Sequence, residues 1–174
     1  MITLDDLRAI CPRTKRERLE LYLEPLNAAM DEFRISVNVE RETHFLAQVA
    51  HESGGFRYVR ELASGEDYEG RADLGNMVKG DGVRFKGRGL IQITGRANYI
   101  ACGDALGVDL VGEPGLLERP DLAARSAGWF WESRNLNELA DRGDARAITK
   151  KINGGVNGYQ DRLAYLKAAQ ERLA

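Results

Sequence analysis

Glu52 has the sequence surroundings of a carboxyl group that resists ionisation. The apolar residues between Arg41 and Ser53, among them Phe45 and Val49, recur at the spacing of one helical face. Glu52 lies three residues after Val49, so it falls on the same inward face, near the end of this predicted helix. Desolvation and the negative end of the helix dipole both disfavour a charged carboxylate there. Both effects raise the pKa, as a general acid working near neutral pH requires.

A second carboxyl group is needed if the chemistry is hydrolysis of a glycosidic bond. In such hydrolysis one carboxyl group protonates the leaving oxygen, and the other activates water or attacks carbon. Glu61 is the candidate partner, because a chain reversal at the two glycines after the helix would bring it back towards Glu52. A structural role stays open for both glutamates, since each could instead pair with Arg57 or Arg60. Other acidic residues in the same region compete with Glu61 for the second role: Glu66, Asp67, Glu69, Asp73 and Asp81.

Polar residues on a predicted short strand could hold a water molecule and a sugar amide. Gln92 and Thr94 alternate with two isoleucines, so their side chains would share one face. Asn98 follows four residues later, in the first turns of the next predicted helix. Thr94 could also cap that helix. We interpret His51, beside the candidate acid, as a substrate contact, and a packed or exposed histidine stays open as the alternative.

The sequence indicates neither a metal site nor a cofactor site. His51 and Glu52 resemble the start of a zinc-protease helix, but the second histidine of that motif would stand at position 55, which is glycine. The glycine-rich run from Gly80 to Gly89 lacks the Gly-Lys-Ser/Thr ending of a phosphate-binding loop. No G-x-S-x-G motif indicates a nucleophilic serine. We therefore expect no metal and no cofactor.

The composition narrows the class of protein. The 174 residues carry a formal net charge of −2, which disfavours nucleic-acid binding and cationic membrane disruption. The two cysteines, Cys11 and Cys102, form no pattern typical of a zinc site or a disulfide scaffold. The N-terminal residues do not resemble a secretory signal, and no apolar run approaches the roughly 18 residues of a membrane span. The length predicts one domain.

The elements that would position these residues are predicted to be mainly helical. Besides the helix that ends near Glu52, helices are predicted over residues 3–10, 14–33, 96–106, from 120 onward, 144–152 and 159–173. Pro25 should kink or split the second of these. Short strands are predicted over residues 56–62, 83–85 and 90–93, the last two joined in a hairpin around Gly87–Gly89. The predicted fold class is therefore mainly α (α+β), an arrangement that suits a cleft between two helical lobes with a small β-hairpin beside it.

Four ordered groups of residues resemble the motifs of glycoside hydrolase family 19, in the compact phage endolysin branch related to plant chitinases. They are FLAQVAHESGG at 45–55, VRE at 59–61, FKGRGLIQITGRANY at 85–99, and INGG at 152–155 with QDR at 160–162. The resemblance implies a lysozyme-like, two-lobed helical fold and an inverting mechanism. Glu52 would be the general acid and Glu61 the base, with Thr94 helping to hold the attacking water. The positions that would contact sugar or support the acid are His51, Gln92, Asn98, Asn153 and Arg162.

The same resemblance implies a muramidase-type endolysin that cuts β-1,4 bonds of the peptidoglycan glycan strand during host lysis. We expect a monomer with one catalytic domain over residues 1–174, no separate cell-wall-binding module, no nucleic-acid partner and no stable membrane association. The protein would stay in the host cytoplasm until released to the periplasm and cell wall. The stretch from Leu62 to Arg84 is shorter than in many phage relatives, which keeps Glu69 open as an alternative to Glu61. A chitinase that acts on N-acetylglucosamine polymers and a catalytically silent glycan-binding module stay open as alternatives.

Overall fold

The computed structural model describes all 174 residues as a mainly helical protein. Three short 3₁₀ turns join the helices, at Glu66–Tyr68, Ala72–Leu74 and Pro114–Glu118. None of the helices combines the length and apolar character that crossing a bilayer would require. The nine helices in chain order are α1 (Leu4–Ile10), α2 (Arg16–Glu32), α3 (Val39–Glu52), α4 (Asp81–Arg84), α5 (Arg96–Leu106), α6 (Pro120–Ser133), α7 (Leu136–Asp141), α8 (Ala145–Asn153) and α9 (Tyr159–Leu173).

Helix α3 carries the candidate acid and passes through the core. Its first turn is capped by Asn38, whose side chain accepts a hydrogen bond from the main-chain nitrogen of Arg41. Every residue from Glu42 to Ala50 is buried, so other elements surround the middle of the helix on all sides. Helix α9 packs along it. The last helical residue is Glu52, which therefore sits where a rigid, buried helix reaches the surface.

An aromatic contact fixes α3 against α6. The rings of Phe45 and Trp131 meet edge to face, with centroids 5.3 Å apart, and both side chains are fully buried. Trp131 also donates a 2.9 Å hydrogen bond from Nε1 to Asn137, so its polar edge is satisfied. Burial of each such ring contributes about 1.5–3 kcal/mol. The helix that ends at the candidate acid is therefore held by fully buried aromatic packing against α6.

Most of the helices predicted from the sequence are present. The predictions over residues 3–10, 96–106 and 159–173 correspond to α1, α5 and α9 within a residue at each end. Helix α2 is not split, because it continues through Pro25. Buried side chains on both sides of the proline, including Tyr22 and Leu26, hold the two halves of α2 against one core. Helix α7 was not predicted.

The predicted β-hairpin is absent, and this part of the fold-class prediction is wrong. Residues 83–85 form the last turn of α4 and its C-terminal cap. The predicted strand over residues 56–62 is reduced to one isolated bridge between Arg60 and Arg88, and the strand over 90–93 to a bridge between Arg88 and Ile93. The segment that carries Gln92 and Thr94 is therefore a loop, which is joined to neighbouring segments by single β-bridges.

The path of this loop explains the failed strand prediction. Between its two bridged ends the chain turns back on itself, with positive φ angles of 86° at Gly89 and 55° at Gln92. Leu90 and Ile91 are both buried, whereas adjacent side chains of a strand would point to opposite faces. A short apolar run looks the same in a sequence whether it enters the core as a strand or as a loop.

Candidate active site

Glu52 contacts a buried arginine at the end of α3. Its Oε1 lies 2.6 Å from Nη1 of Arg162, which belongs to the first turn of α9 and is 3% exposed. The Glu52 side chain is 20% exposed. The alternative pairings proposed from the sequence do not occur, because Arg57 donates to the carbonyl of Gly54 and Arg60 faces Glu118. The purely apolar surroundings expected for the Glu52 carboxyl group are therefore not found, because Arg162 places a positive charge against it.

Arg162 is held in place by partners other than Glu52. Its Nη1 donates to Gln48 Oε1 at 2.6 Å, and its Nε donates to the carbonyl of Asn157 at 3.1 Å. Gln48 in turn donates to the hydroxyl of Thr149 at 3.1 Å. This buried network joins α3, α8 and α9. Glu52 Oε1 is buried against Arg162, whereas Oε2 is not fully buried and accepts no hydrogen bond within the chain, so Oε2 is the oxygen that can exchange a proton with a ligand.

Glu61 lies beyond the turn that follows α3 and is held by its main chain and by a tyrosine. The main-chain nitrogen of Glu61 donates to the carbonyl of Gly87 at 3.0 Å. The hydroxyl of Tyr68 donates to Glu61 Oε2, also at 3.0 Å. Burial raises the pKa of Tyr68, and the neighbouring Glu61 carboxylate raises it further, so the phenol keeps its proton. Glu61 Oε1 is buried and accepts no hydrogen bond from the chain.

Three of the predicted site residues converge on Gly87. A methyl group placed on this glycine would lie 2.5 Å from Gln92 Oε1, 3.0 Å from Glu61 Oε2 and 3.3 Å from Thr94 Oγ1. The structure therefore brings Glu61, Gln92 and Thr94 together around a position where only glycine leaves room. Three polar groups around one small gap could orient a water molecule.

Thr94 and Asn98 continue this group along the start of α5. Thr94 donates from Oγ1 to the carbonyl of Gln92 at 3.0 Å, and Asn98 donates from Nδ2 to the carbonyl of Thr94 at 2.8 Å. The predicted cap at Thr94 is wrong, because Gly95 occupies the N-cap position of α5. A cavity of about 120 Å³ is lined by Leu74, Gln92, Ile93, Thr94, Asn98, Trp129, Phe130 and Arg134.

Arg134 was not identified from the sequence. Its guanidinium lies 3.5 Å from the centroid of the Phe130 ring and donates to the hydroxyl of Ser133, and it forms no ion pair. Partial burial lowers the pKa of Arg134, because desolvation disfavours the charge. A positive charge without a carboxylate partner thus lies in the wall of the cavity that holds Gln92 and Thr94.

Three of the other acidic residues of this region have structural partners, whereas the exposed side chains of Glu66 and Asp67 have none. Both carboxylate oxygens of Glu69 accept hydrogen bonds at 2.8 Å, from the main-chain nitrogens of Gly80 and Gly82. Asp73 pairs with Arg71, and buried Asp81 pairs with Arg96. Glu69 therefore holds a turn before α4, whereas Glu61 keeps an oxygen without a partner.

His51 and Asn153 lie apart from the residues around Gly87. His51 donates a 2.6 Å hydrogen bond from Nδ1 to Asp161 Oδ2, and its ring packs against Gly158. Asn153 ends α8, where its Oδ1 accepts from the main-chain nitrogen of Asn157 at 3.2 Å. Both side chains are thus engaged at the start of α9, beside Arg162.

Comparison with known proteins places this site in a family. The model for Glyco_hydro_19, described as chitinase class I, matches residues 38–157. A glycosyl hydrolase family 19 domain-containing protein of Haemophilus influenzae is 34% identical over 163 residues, covering 76% of this chain and 80% of that protein. An endochitinase of Arabidopsis thaliana is 38% identical over 128 residues, covering 73% of this chain. The chain spans only 44% of the length of that plant relative.

Solved structures share the fold at low sequence identity. Chitinase C from Streptomyces griseus HUT6037 has a TM-score of 0.80 at 23% identity, covering 99% of this chain and 76% of that chain. A class IV chitinase from Zea mays has a TM-score of 0.79 at 23% identity, covering 99% of this chain and 92% of that chain. The matched segment, residues 38–157, includes Glu52, Glu61 and the loop around Gly87. The chain belongs to glycoside hydrolase family 19 and is a glycoside hydrolase.

Proposed function

We propose that this enzyme hydrolyses the β-1,4 bonds of the peptidoglycan glycan strand with inversion, using Glu52 as acid and Glu61 as base. The observation that carries the proposal is the contrast between the two carboxyl groups. Glu52 contacts a fixed cation, Arg162, whereas Glu61 keeps a buried oxygen without a partner among Tyr68, Gln92 and Thr94. A fixed cation suits a group that becomes negatively charged as it gives up its proton, and an oxygen without a partner suits a group that accepts a proton from water.

Glu52 would protonate the leaving oxygen while the bond from that oxygen to the anomeric carbon breaks. Glu52 becomes negatively charged in this step. Arg162 lies 2.6 Å from its Oε1 and is already held by Gln48 and Asn157, so the positive charge needs no movement to stabilise the new carboxylate.

Glu61 would take a proton from the water whose oxygen bonds to the anomeric carbon. Tyr68 donates to Oε2 and orients the carboxylate, which leaves Oε1 to accept from water. The hydroxyl proton of Thr94 is used in its bond to the Gln92 carbonyl, so Thr94 Oγ1 can accept the second water proton. Attack on the face opposite to the leaving group inverts the anomeric carbon.

The charge of Arg134 favours peptidoglycan over chitin as the substrate. Chitin is an uncharged polymer, whereas peptidoglycan carries carboxylates on its stem peptides. Arg134 has no carboxylate partner in the protein and lines the cavity of Gln92, Thr94 and Asn98. A partly buried guanidinium is best satisfied by a carboxylate, to which it can donate two parallel hydrogen bonds.

A catalytically silent glycan-binding role is less well supported than hydrolysis. A buried carboxylate oxygen without a hydrogen bond is costly, and a binding module would have no use for it. The role in host lysis, the cytoplasmic pool before release, the single-domain organisation and the monomeric state rest on the resemblance to phage endolysins and stay predictions.

Parallel assays on peptidoglycan sacculi and chitin oligomers test the proposal. We expect wild type to have the higher kcat/KM on peptidoglycan, and Glu52→Gln and Glu61→Gln to lose roughly 10²–10⁴-fold. Glu66→Gln is the matched control, because Glu66 is exposed and its side chain has no partner. A higher kcat/KM on chitin would support the chitinase alternative, and near-normal activity of Glu52→Gln would exclude the assigned acid.

A further inference from the structure

A second cavity, of about 460 Å³, lies beside the C-terminal end of α3. It is formed where the end of α1 and the turn after it meet the last turn of α3 and one face of α9. We call it the His51 pocket, and its polar lining consists of Arg13, Thr14, His51, Arg57, Asp161 and Tyr165. It shares no residue with the cavity of Gln92 and Thr94.

Two arginines give the His51 pocket positive charge that the protein does not neutralise. Neither Arg13 nor Arg57 takes part in an ion pair with a carboxylate. Arg57 donates from Nε to the carbonyl of Gly54 at 2.6 Å, which fixes the side chain and leaves its terminal nitrogens available. Both arginines are exposed at the rim, so they can meet a ligand that enters from solvent.

A tyrosine hydroxyl completes the set of donors. Tyr165 lines the pocket, and no hydrogen bond within the chain uses its hydroxyl. Burial raises the pKa of Tyr165, while the positive charges of Arg57 and Arg13, which line the same pocket, act in the opposite direction. The hydroxyl is therefore protonated at neutral pH and available as a donor.

The acidic residue of the pocket is already engaged. Asp161 Oδ2 lies 2.6 Å from His51 Nδ1, so its charge is directed at the imidazole. The His51 pocket thus contains two guanidinium groups without an ion-pair partner and one phenol. Its single carboxylate, that of Asp161, is already paired with His51. Guanidinium groups bind carboxylates through paired, charge-assisted hydrogen bonds, and this lining fits an acidic ligand.

We propose that the His51 pocket is a second substrate site, which binds a carboxylate of the peptidoglycan stem peptide. The inference rests on the proposed peptidoglycan substrate. His51 of the pocket and Glu52 of the catalytic pair are consecutive, so their Cα atoms are about 3.8 Å apart. A peptide attached to a sugar beside Glu52 would therefore start within reach of the pocket.

Binding of a free stem peptide tests the site without glycan chemistry. The probe is the tripeptide L-alanyl-D-glutamyl-meso-diaminopimelate, titrated into the intact protein by calorimetry and by NMR of the two histidine rings. We expect saturable binding that shifts the His51 signals, and at least about tenfold weaker binding by the double variant Arg13→Gln Arg57→Gln. The control Arg146→Gln, which removes an exposed arginine outside both cavities, should bind as wild type does.

Two results of the titration would overturn the site. One is the absence of saturable binding by wild type, and the other is equal affinity in wild type and the double variant. The tripeptide with its carboxyl groups amidated should not bind, and binding of equal strength would show that the carboxylates are not recognised. Thermal unfolding of the double variant checks that it is folded, as expected from the exposure of both arginines.

Hydrolysis of two forms of the polymer separates this inference from the proposed function. The substrates are intact peptidoglycan and glycan strands from which an amidase has removed the stem peptides. The double variant should have a higher KM than wild type on intact peptidoglycan and the same kcat/KM on stripped strands. An equal loss on both substrates would contradict a peptide site, whereas wild type that cuts neither substrate would contradict the proposed function and leave the titration to decide the pocket.

Discussion

Replacing Gly87 with alanine should impair catalysis at the candidate site while leaving the fold intact. The new methyl group would lie 2.5 Å from Gln92 Oε1 and 3.0 Å from Glu61 Oε2, where ordinary contact begins at 3.4 Å. Gln92 Oε1 would therefore have to retreat by about 0.9 Å and Glu61 Oε2 by about 0.4 Å. Both atoms end flexible side chains, and Gly87 does not have a positive φ, so the backbone accepts alanine.

The predicted effect falls on catalysis. A displacement of about 1 Å costs on the order of 10²-fold in rate, and the Glu61 oxygen moves by about 0.4 Å, so we expect a loss of roughly tenfold, which corresponds to about 1.4 kcal/mol in the activation barrier. The close contacts of the new methyl group should lower the free energy of unfolding by about 1 kcal/mol, because the side chains that must move are flexible. This is the low end of the usual cost of inserting a methyl group into a packed region. Reducing-end release from peptidoglycan measures kcat/KM, and urea denaturation measures the free energy of unfolding.

A second glycine provides the control for this experiment. Gly115 also lacks a positive φ, and a methyl group on it would meet only Glu118 Oε2, at 3.9 Å. Gly115→Ala should therefore change neither kcat/KM nor the free energy of unfolding. Wild-type kcat/KM in folded Gly87→Ala would refute the reasoning, as would a loss of activity that only follows the loss of folded protein. In the double variant Gly87→Ala Gln92→Ala, the losses of kcat/KM from the two substitutions should not add, because Gly87→Ala acts partly by displacing Gln92.

Three further predictions test single groups. Tyr68→Phe removes the one hydrogen bond to the Glu61 side chain. Steady-state kinetics should show kcat reduced about tenfold or more with KM nearly unchanged. A change in KM alone would contradict the role of Tyr68 in orienting the base. Arg134→Gln should lower kcat/KM on peptidoglycan but not on chitin oligomers, and an equal effect in parallel assays would contradict recognition of an acidic substrate. The Arg41 guanidinium lowers the pKa of Asp141 from the usual 3.8 to about 2. Because the folded-state pKa is lowered, the pair stabilises the fold above about pH 4, and this stabilisation is lost as the pH falls towards 2. Urea denaturation should therefore find Asp141→Asn less stable than wild type at pH 6 and equal to it near pH 2, whereas a difference that does not depend on pH would contradict the assignment.

Helix ends and local motifs could be predicted from the sequence because their causes are local. The apolar spacing before Glu52 and the glycines after it define the end of α3. The alternation of residues predicted that Gln92 and Thr94 share a face, although the expected strand is a loop, and Glu61 was expected beside Thr94 only from the family resemblance. The side chains converge on Gly87 because the loop turns sharply at Gly89 and Gln92, where positive φ angles replace the alternation of a strand.

Contacts between distant segments could not be predicted from periodicity. Arg162 was expected near the acid only by resemblance, and the Gln48 and Thr149 contacts that hold it depend on how three helices pack. Tyr68 and Arg134 lie in segments without a periodic pattern that would aim them at the site. His51 was expected to contact substrate, and this stays a prediction. The structure shows its ring paired with Asp161, 110 residues further along the chain, and this pairing depends on the packing of α9 against α3.

Digestion of peptidoglycan in oxygen-18 water tests the central claim most directly. Wild type and Glu52→Gln would be compared by mass spectrometry of the released fragments. The account predicts one labelled oxygen at the reducing-end N-acetylmuramic acid of wild-type products and no such product from the variant. Labelled N-acetylglucosamine ends would move the cut to the other bond with the same acid. Unlabelled anhydro ends, or equal labelling by Glu52→Gln, would contradict acid–base hydrolysis by Glu52 and Glu61.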